Sequence, residues 1–186
     1  FCHYFLQSNG IVHLKLDRIF NPQRIDDLKA LINSIAESSL ISLSIGGDER
    51  NNFADKMKLL FDAIRPLCKS LKILHINGQK ITDKDCESVI EFLRSSNQIV
   101  EFSMDRTSIS DENGFFNFYS GLFQLPNISI VGRPTNDLHR IFGGPSLPNL
   151  YNKSSYSSFK TRMQQKIEVA DAGAFAFYVC TNIASS

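Results

Sequence analysis

The chain has 186 residues, 42% hydrophobic and 21% charged, proportions that fit one sizeable globular domain plus a tail. A formal net charge of +1, with no long charge run, argues against a nucleic-acid surface, because phosphate binding draws on clustered Lys and Arg. The longest apolar run, Ala172 to Cys180, is too short to span a bilayer, and no signal-peptide pattern is present.

Residues 1–10, FCHYFLQSNG, read as the end of a helix closed by an Asn-Gly stop. The stretch LQSNGI at 6–11 parallels LRSSNQI at 93–99. The chain, which starts at Phe1 without Met, is therefore expected to be a piece of a longer protein that begins inside a repeat. Another repeat or a polar cap would precede Phe1.

The first full unit has Ile11, Leu14 and Leu16 on a strand, then a helix after Pro22 with Ile25, Leu28, Leu31, Ile32 and Ile35 on one face. The second has Leu40, Leu43 and Ile45, a Gly46-Gly47-Asp48 turn, and a helix carrying Met57, Leu60, Phe61, Ile64 and Leu67. Pro66 is expected to end that helix early. The third, Leu71, Leu74, Ile76 and Ile81, fits the frame L-x-x-L-x-L-x-x-N-x-L best. Thr82 or Asp83 is its expected N-cap, and Val89, Ile90 and Leu93 are its core face.

The fourth unit has Ile99, Phe102, Met104 and Ile109, with Ser110 as the expected cap. Its helix is aromatic: Phe115, Phe116, Phe118, Tyr119, Leu122 and Phe123. The fifth is read as a strand with Leu125, Ile128 and Ile130. A short helix, Asp137 to Phe142, then closes the array with Leu138, Ile141 and Phe142. Unit starts at 11, 40, 71, 99 and 125 are 29, 31, 28 and 26 residues apart.

This spacing predicts an α/β leucine-rich-repeat solenoid over residues 1–142, with a parallel sheet on the concave face and helices on the convex face. A doubly wound α/β domain is the alternative that alternating strands and helices leave open. Residues 143–186 are expected to be a linker, GGPSLPN at 143–149, and a poorly structured tail. Within the tail, 161–170 has helical character and 175–179 strand-like character. The ninth frame position is Ile19, Asp48, Gln79, Thr107 and Arg133, so the usual Asn ladder is expected to be missing.

Cys2, Cys68, Cys86 and Cys180 form no C-x-x-C pair. Cys68 and Cys86 fall at apolar helix positions, so reduced core thiols and a cytoplasmic setting are expected.

Residues between the core positions point away from the helices. They are His13, Lys15 and Asp17; Ser42, Ser44 and Gly46; Ile73, His75 and Asn77; Glu101, Ser103 and Asp105; and Asn127, Ser129 and Val131. With strands about 4.8 Å apart this is one polar strip. Its candidate partner-binding residues are His13, Lys15, Asp17, Ser44, His75, Asn77, Glu101, Ser103 and Asp105.

No catalytic, metal or cofactor site is expected. His13 and His75 stand two strands apart, roughly 10 Å, too far to share a metal without a third element. Ser44, His75 and Asp105 form a catalytic set only on paper, since an open sheet offers no oxyanion hole. Neither Gly46-Gly47-Asp48 nor Gly143-Gly144 fits a phosphate-loop pattern. Asn127-Ile-Ser129 and Asn152-Lys-Ser154 match the glycosylation sequon, but Asn127 is expected on the strand face, a poor place for a glycan.

The units at 40–70, 71–98 and 99–124 resemble the ribonuclease-inhibitor-like class of leucine-rich-repeat proteins. That resemblance implies a non-enzymatic module binding a protein partner, with no nucleic acid, membrane or small-molecule substrate. The stretches LHINGQKITD at 74–83 and GRPTNDL at 132–138 also resemble the end of the repeat array in CARMIL-type regulators of actin capping protein. The basic capping-protein motif of those regulators does not occur here. A third possibility is a leucine-rich-repeat GTPase-activating protein with Arg50, Arg106 or Arg133 on the solenoid edge.

Overall fold

Three-residue stretches with one buried central side chain recur along the chain and form strands: β1 (His13–Lys15), β2 (Ser42–Ser44), β3 (Ile73–His75) and β4 (Glu101–Ser103). A fifth, β5 (Ile130–Val131), completes a parallel sheet in the order β1-β2-β3-β4-β5. The computed structural model describes residues 10–132 and 134–142, the side chain of Phe142 excepted. The expectations for 1–9 and 143–186, and those for Cys2, Cys180 and Arg133, lie outside the described residues.

Parallel neighbours need a crossover, and each of the four crossovers carries a helix. These are α1 (Ile25–Ile35), α2 (Met57–Ile64), α3 (Cys86–Ser95) and α4 (Glu112–Phe123), and α5 (Thr135–Phe142) follows β5. Sequential strand order with a helix on each return makes this a leucine-rich-repeat α/β solenoid. In α1 the stripe expected from the sequence faces the sheet, with Leu28, Ile32 and Ile35 fully buried. Pro66 ends α2 as expected, and the chain continues as a 3₁₀ turn over Arg65–Lys69. No helix among the described residues is long and apolar enough to cross a membrane.

The core is continuous from repeat to repeat. Leu43, Leu74 and Phe102 stand in register on adjacent strands and are fully buried. Each such side chain contributes about 1.5–3 kcal/mol relative to exposure. Phe61 of α2 stacks on Phe92 of α3, with centroids 4.3 Å apart and planes 9° from parallel. Tyr119 of α4 is buried, and its hydroxyl donates to the Met104 carbonyl at 3.4 Å.

Four local expectations are corrected. The fifth repeat starts at Ile128 rather than Leu125: Glu101 pairs with Ile130 and Phe102 with Val131, so Val131 is buried and Ile130 takes the outward position. Asn127 therefore lies off the strip, where its Nδ2 donates to the Leu93, Ser96 and Ile99 carbonyls at 3.0–3.3 Å and closes the end of α3. The cap of α4 is Asp111 rather than Ser110, accepting from Gly114 N at 2.8 Å. At α3, neither Thr82 nor Asp83 caps; Asp85 precedes the helix, and its carboxylate bonds backward into the previous repeat instead.

The corner position shows what stands in for the Asn ladder. Gln79 replaces the missing Asn: it is 1% exposed, donates from Nε2 to the Ile45 carbonyl at 2.7 Å and accepts at Oε1 from Phe53 N at 3.1 Å. Buried Asp85 accepts from the Asp55, Met57 and Thr82 amides, and buried Asp137 from the Thr107 amide. Carboxylates and one amide thus satisfy the corner backbone where an Asn ladder would otherwise stand.

Candidate functional site

Alternation puts residues on either side of each buried strand centre on the sheet face away from the helices. Register aligns them into two rows. One runs His13, Ser42, Ile73, Glu101 and Ile130; the other runs Lys15, Ser44, His75 and Ser103. His13, Lys15, Ser44, His75, Glu101 and Ser103 thus share one face, Asp17, Asn77 and Asp105 follow just beyond the strands, and most of the nine are joined laterally.

The His75 ring bonds Glu101 through Nε2 and Oε1 at 2.9 Å. An ionised carboxylate only accepts, so Nε2 carries the proton in this pair. Ser103 Oγ donates to Asn77 Oδ1 at 3.2 Å. Asp17 accepts from Ser44 Oγ at 2.7 Å and Gly46 N at 2.8 Å, and its carboxylate pairs with Lys15 Nζ at 3.1 Å. Partial burial pushes the Asp17 carboxyl up, but those donors and the lysine charge hold it below its ordinary value.

Asp105 accepts from the amides of Arg106, Asn136 and Asp137 and from Asn136 Nδ2, at 2.6–3.0 Å for the shorter contact of each donor. It thereby secures the start of α5, a structural duty the sequence did not reveal. His13 stands apart from these pairs: its ring is exposed on β1, across from Ser42. The paper set Ser44, His75 and Asp105 does not assemble, since each bonds a different partner.

The sequence missed the corner just beyond the strands. Backbone bonds continue there, from Arg18 N to Gly46 O, Gly47 N to Asn77 O and Gly78 N to Asp105 O, at 2.7–2.8 Å. Arg18, Gly47, Gly78 and Arg106 are therefore equivalent residues of four successive repeats. Arg18 (φ 62°), Gly78 (φ 78°) and Arg106 (φ 58°) are left-handed, a conformation that costs a residue with Cβ about 1–2 kcal/mol. The available signal was position: Arg18 and Arg106 follow the outward Asp17 and Asp105 as Gly78 follows Asn77. A cleft of about 280 Å³ opens along this row. On the opposite side of the solenoid, between α3 and α4, a wider groove of about 560 Å³ is lined by Asp83, Glu87 and Glu91 among others.

No family model matches the chain, and no curated protein matches it. Among solved structures it is similar to the tropomodulin C-terminal domain of Caenorhabditis elegans, with TM-score 0.52 and 16% identity, over 90% of this chain and 89% of that one. At that identity the likeness speaks for the fold, a leucine-rich-repeat type, and does not separate the ribonuclease-inhibitor-like class from the CARMIL type.

Proposed function

We propose that this chain is a non-enzymatic protein-interaction module that binds a protein partner through the concave face of its sheet. The observation carrying this is the continuity of that face: register on β1 to β4 produces unbroken rows of side chains, exposed on β1 and half-buried on β2 to β4. Ser42, Ser44 and Ser103 keep the middle low enough for a partner's side chains to enter. Half-buried Ile73 and Ile130 flank Glu101 and offer apolar contact beside charge, the mixture typical of interfaces.

Preorganisation supports the same reading. The pairs His75–Glu101, Asn77–Ser103 and Asp17–Ser44 fix side chains that a partner would otherwise have to order on binding. Lys15, His13 and Glu101 then supply exposed or partly exposed charge and hydrogen-bonding groups, while Asp17 and Asp105 hold the face in shape. Two free, half-buried thiols, Cys68 and Cys86, fit a cytoplasmic setting for the interaction.

The test is affinity capture from cell extract with quantitative mass spectrometry, comparing wild type with Ser44→Arg and Ser103→Arg. A bulky side chain in the trough should reduce recovery of the specific partner at least tenfold, with the thermal midpoint unchanged. Equal recovery by both variants would sink the concave-face reading.

A further inference from the structure

The corner row Arg18–Gly47–Gly78–Arg106 forms a bracket. Three inter-strand spacings separate its ends, roughly 14 Å, a gap that two extended arginine side chains can close from either side. Between them the floor is bare main chain. A Cβ added to Gly47 would collide with the Gly78 carbonyl, and one added to Gly78 with the Gly47 carbonyl. At Gly46 an added Cβ would come within 2.8 Å of Asp17 Oδ1.

The carboxylates of this cleft are already engaged. Asp17 accepts from Ser44 and Gly46 and pairs with Lys15, Asp105 holds the start of α5, and Asn77 Oδ1 accepts from Ser103. The Gly47 and Gly78 carbonyls face each other's backbone. Its donors remain: among the described residues neither the Arg18 nor the Arg106 guanidinium has a hydrogen bond or ion pair, and Asn77 Nδ2 has none. The Arg18 charge is felt at Asp48, which is otherwise held by the Arg50 and Asn51 amides.

Left-handed geometry sharpens the point. Glycine is the unstrained residue at this position, and the third repeat uses it at Gly78. The first and fourth repeats carry arginine there instead, in a conformation that penalises a Cβ. The side chain at these two places is not required by the backbone.

We propose that the cleft between Arg18 and Arg106 is an oxyanion subsite, taking a carboxylate or phosphoryl group carried by the protein partner. Planar guanidinium forks suit both groups, each binding two oxygens at once. This deepens the concave-face reading and rests on it for the partner. The anion site itself is testable without a partner.

The experiment titrates the isotopically labelled chain with inorganic phosphate and, separately, with acetate, at ionic strength held constant with chloride. The Gly47 and Gly78 amides and the arginine Nε–H signals are read by NMR. The expected result is saturable shifts with at least one of the two anions. Arg18→Gly and Arg106→Gly should each weaken that binding at least tenfold, with a thermal midpoint equal to or above wild type. Lys69→Gln, an exposed charge outside the cleft, should leave it unchanged.

Saturation by phosphate alone assigns a phosphorylated partner; saturation by acetate, an acidic segment. Shifts that chloride reproduces, or that persist in both glycine variants, would overturn the subsite. Such a failure leaves partner recovery by the Ser44 and Ser103 variants as an independent measure of the concave face.

Discussion

Gln79 donates from Nε2 to the main-chain carbonyl of Ile45, one repeat back, at 2.7 Å, inside a fully enclosed corner. The same side chain accepts from Phe53 N, so one amide group satisfies a donor and an acceptor of the preceding turn. Replacing it with Leu leaves both buried and unpaired. Gln79→Leu is expected to lower unfolding free energy by about 2–4 kcal/mol, measured by urea denaturation. A loss below about 0.5 kcal/mol would mean that the corner is wetter than its burial indicates.

Asp85 and Asp83 are two residues apart, yet their variants should differ. Asp85 is buried and accepts from three amides and the Thr82 hydroxyl, two of those amides lying at the entry to α2 in the previous repeat. Asp85→Ala is expected to cost about 2–3 kcal/mol. Asp83 is exposed and reaches Ser110 N only at 3.3–3.4 Å, so Asp83→Ala should cost within about 0.5 kcal/mol. Equal losses in calorimetry would contradict this division.

The contrast between these aspartates shows what the sequence conveys and what it hides. Strand centres and helix faces follow from periodicity, because a leucine every third or second position admits few arrangements; Leu28, Ile32, Leu43 and Leu74 are where the pattern places them. Leu125, Ile128 and Ile130 imitate the frame L-x-x-L-x-L, so spacing alone starts the fifth repeat three residues too early. Only pairing of Phe102 with Val131 fixes the register. Corner bonds join residues 26–34 positions apart, so no local spacing announces them. Asp105 looked like any outward polar residue, yet it anchors α5. A variant reversing its charge would confuse lost binding with lost structure, whereas Ser44 and Ser103 separate the two.

Cys86 gives a pH-dependent test of the helical side. Burial, reinforced by Asp83 and Asp85, pushes its thiol up to about 12 from an ordinary 9.0. The folded chain therefore binds the proton more tightly than the unfolded chain. This stabilising contribution is complete below about pH 9 and is lost as pH rises towards 12. Thiolate is the reactive form, so iodoacetamide at pH 8 should label Cys86 more slowly in the native chain than in urea, by on the order of 100-fold or more. Mass-spectrometric labelling rates check this; similar rates would show that α3 opens readily or that the thiol is accessible.

Site-specific photocrosslinking tests the concave face most directly. A benzophenone amino acid is placed at Ser44 in the trough, or at Glu91 in the groove between α3 and α4, and irradiated in extract. Concave binding predicts a specific adduct from position 44, competed by unlabelled wild-type chain, with none of the same partner from position 91. The same partner captured only from position 91 would contradict it and move the binding surface to the helices.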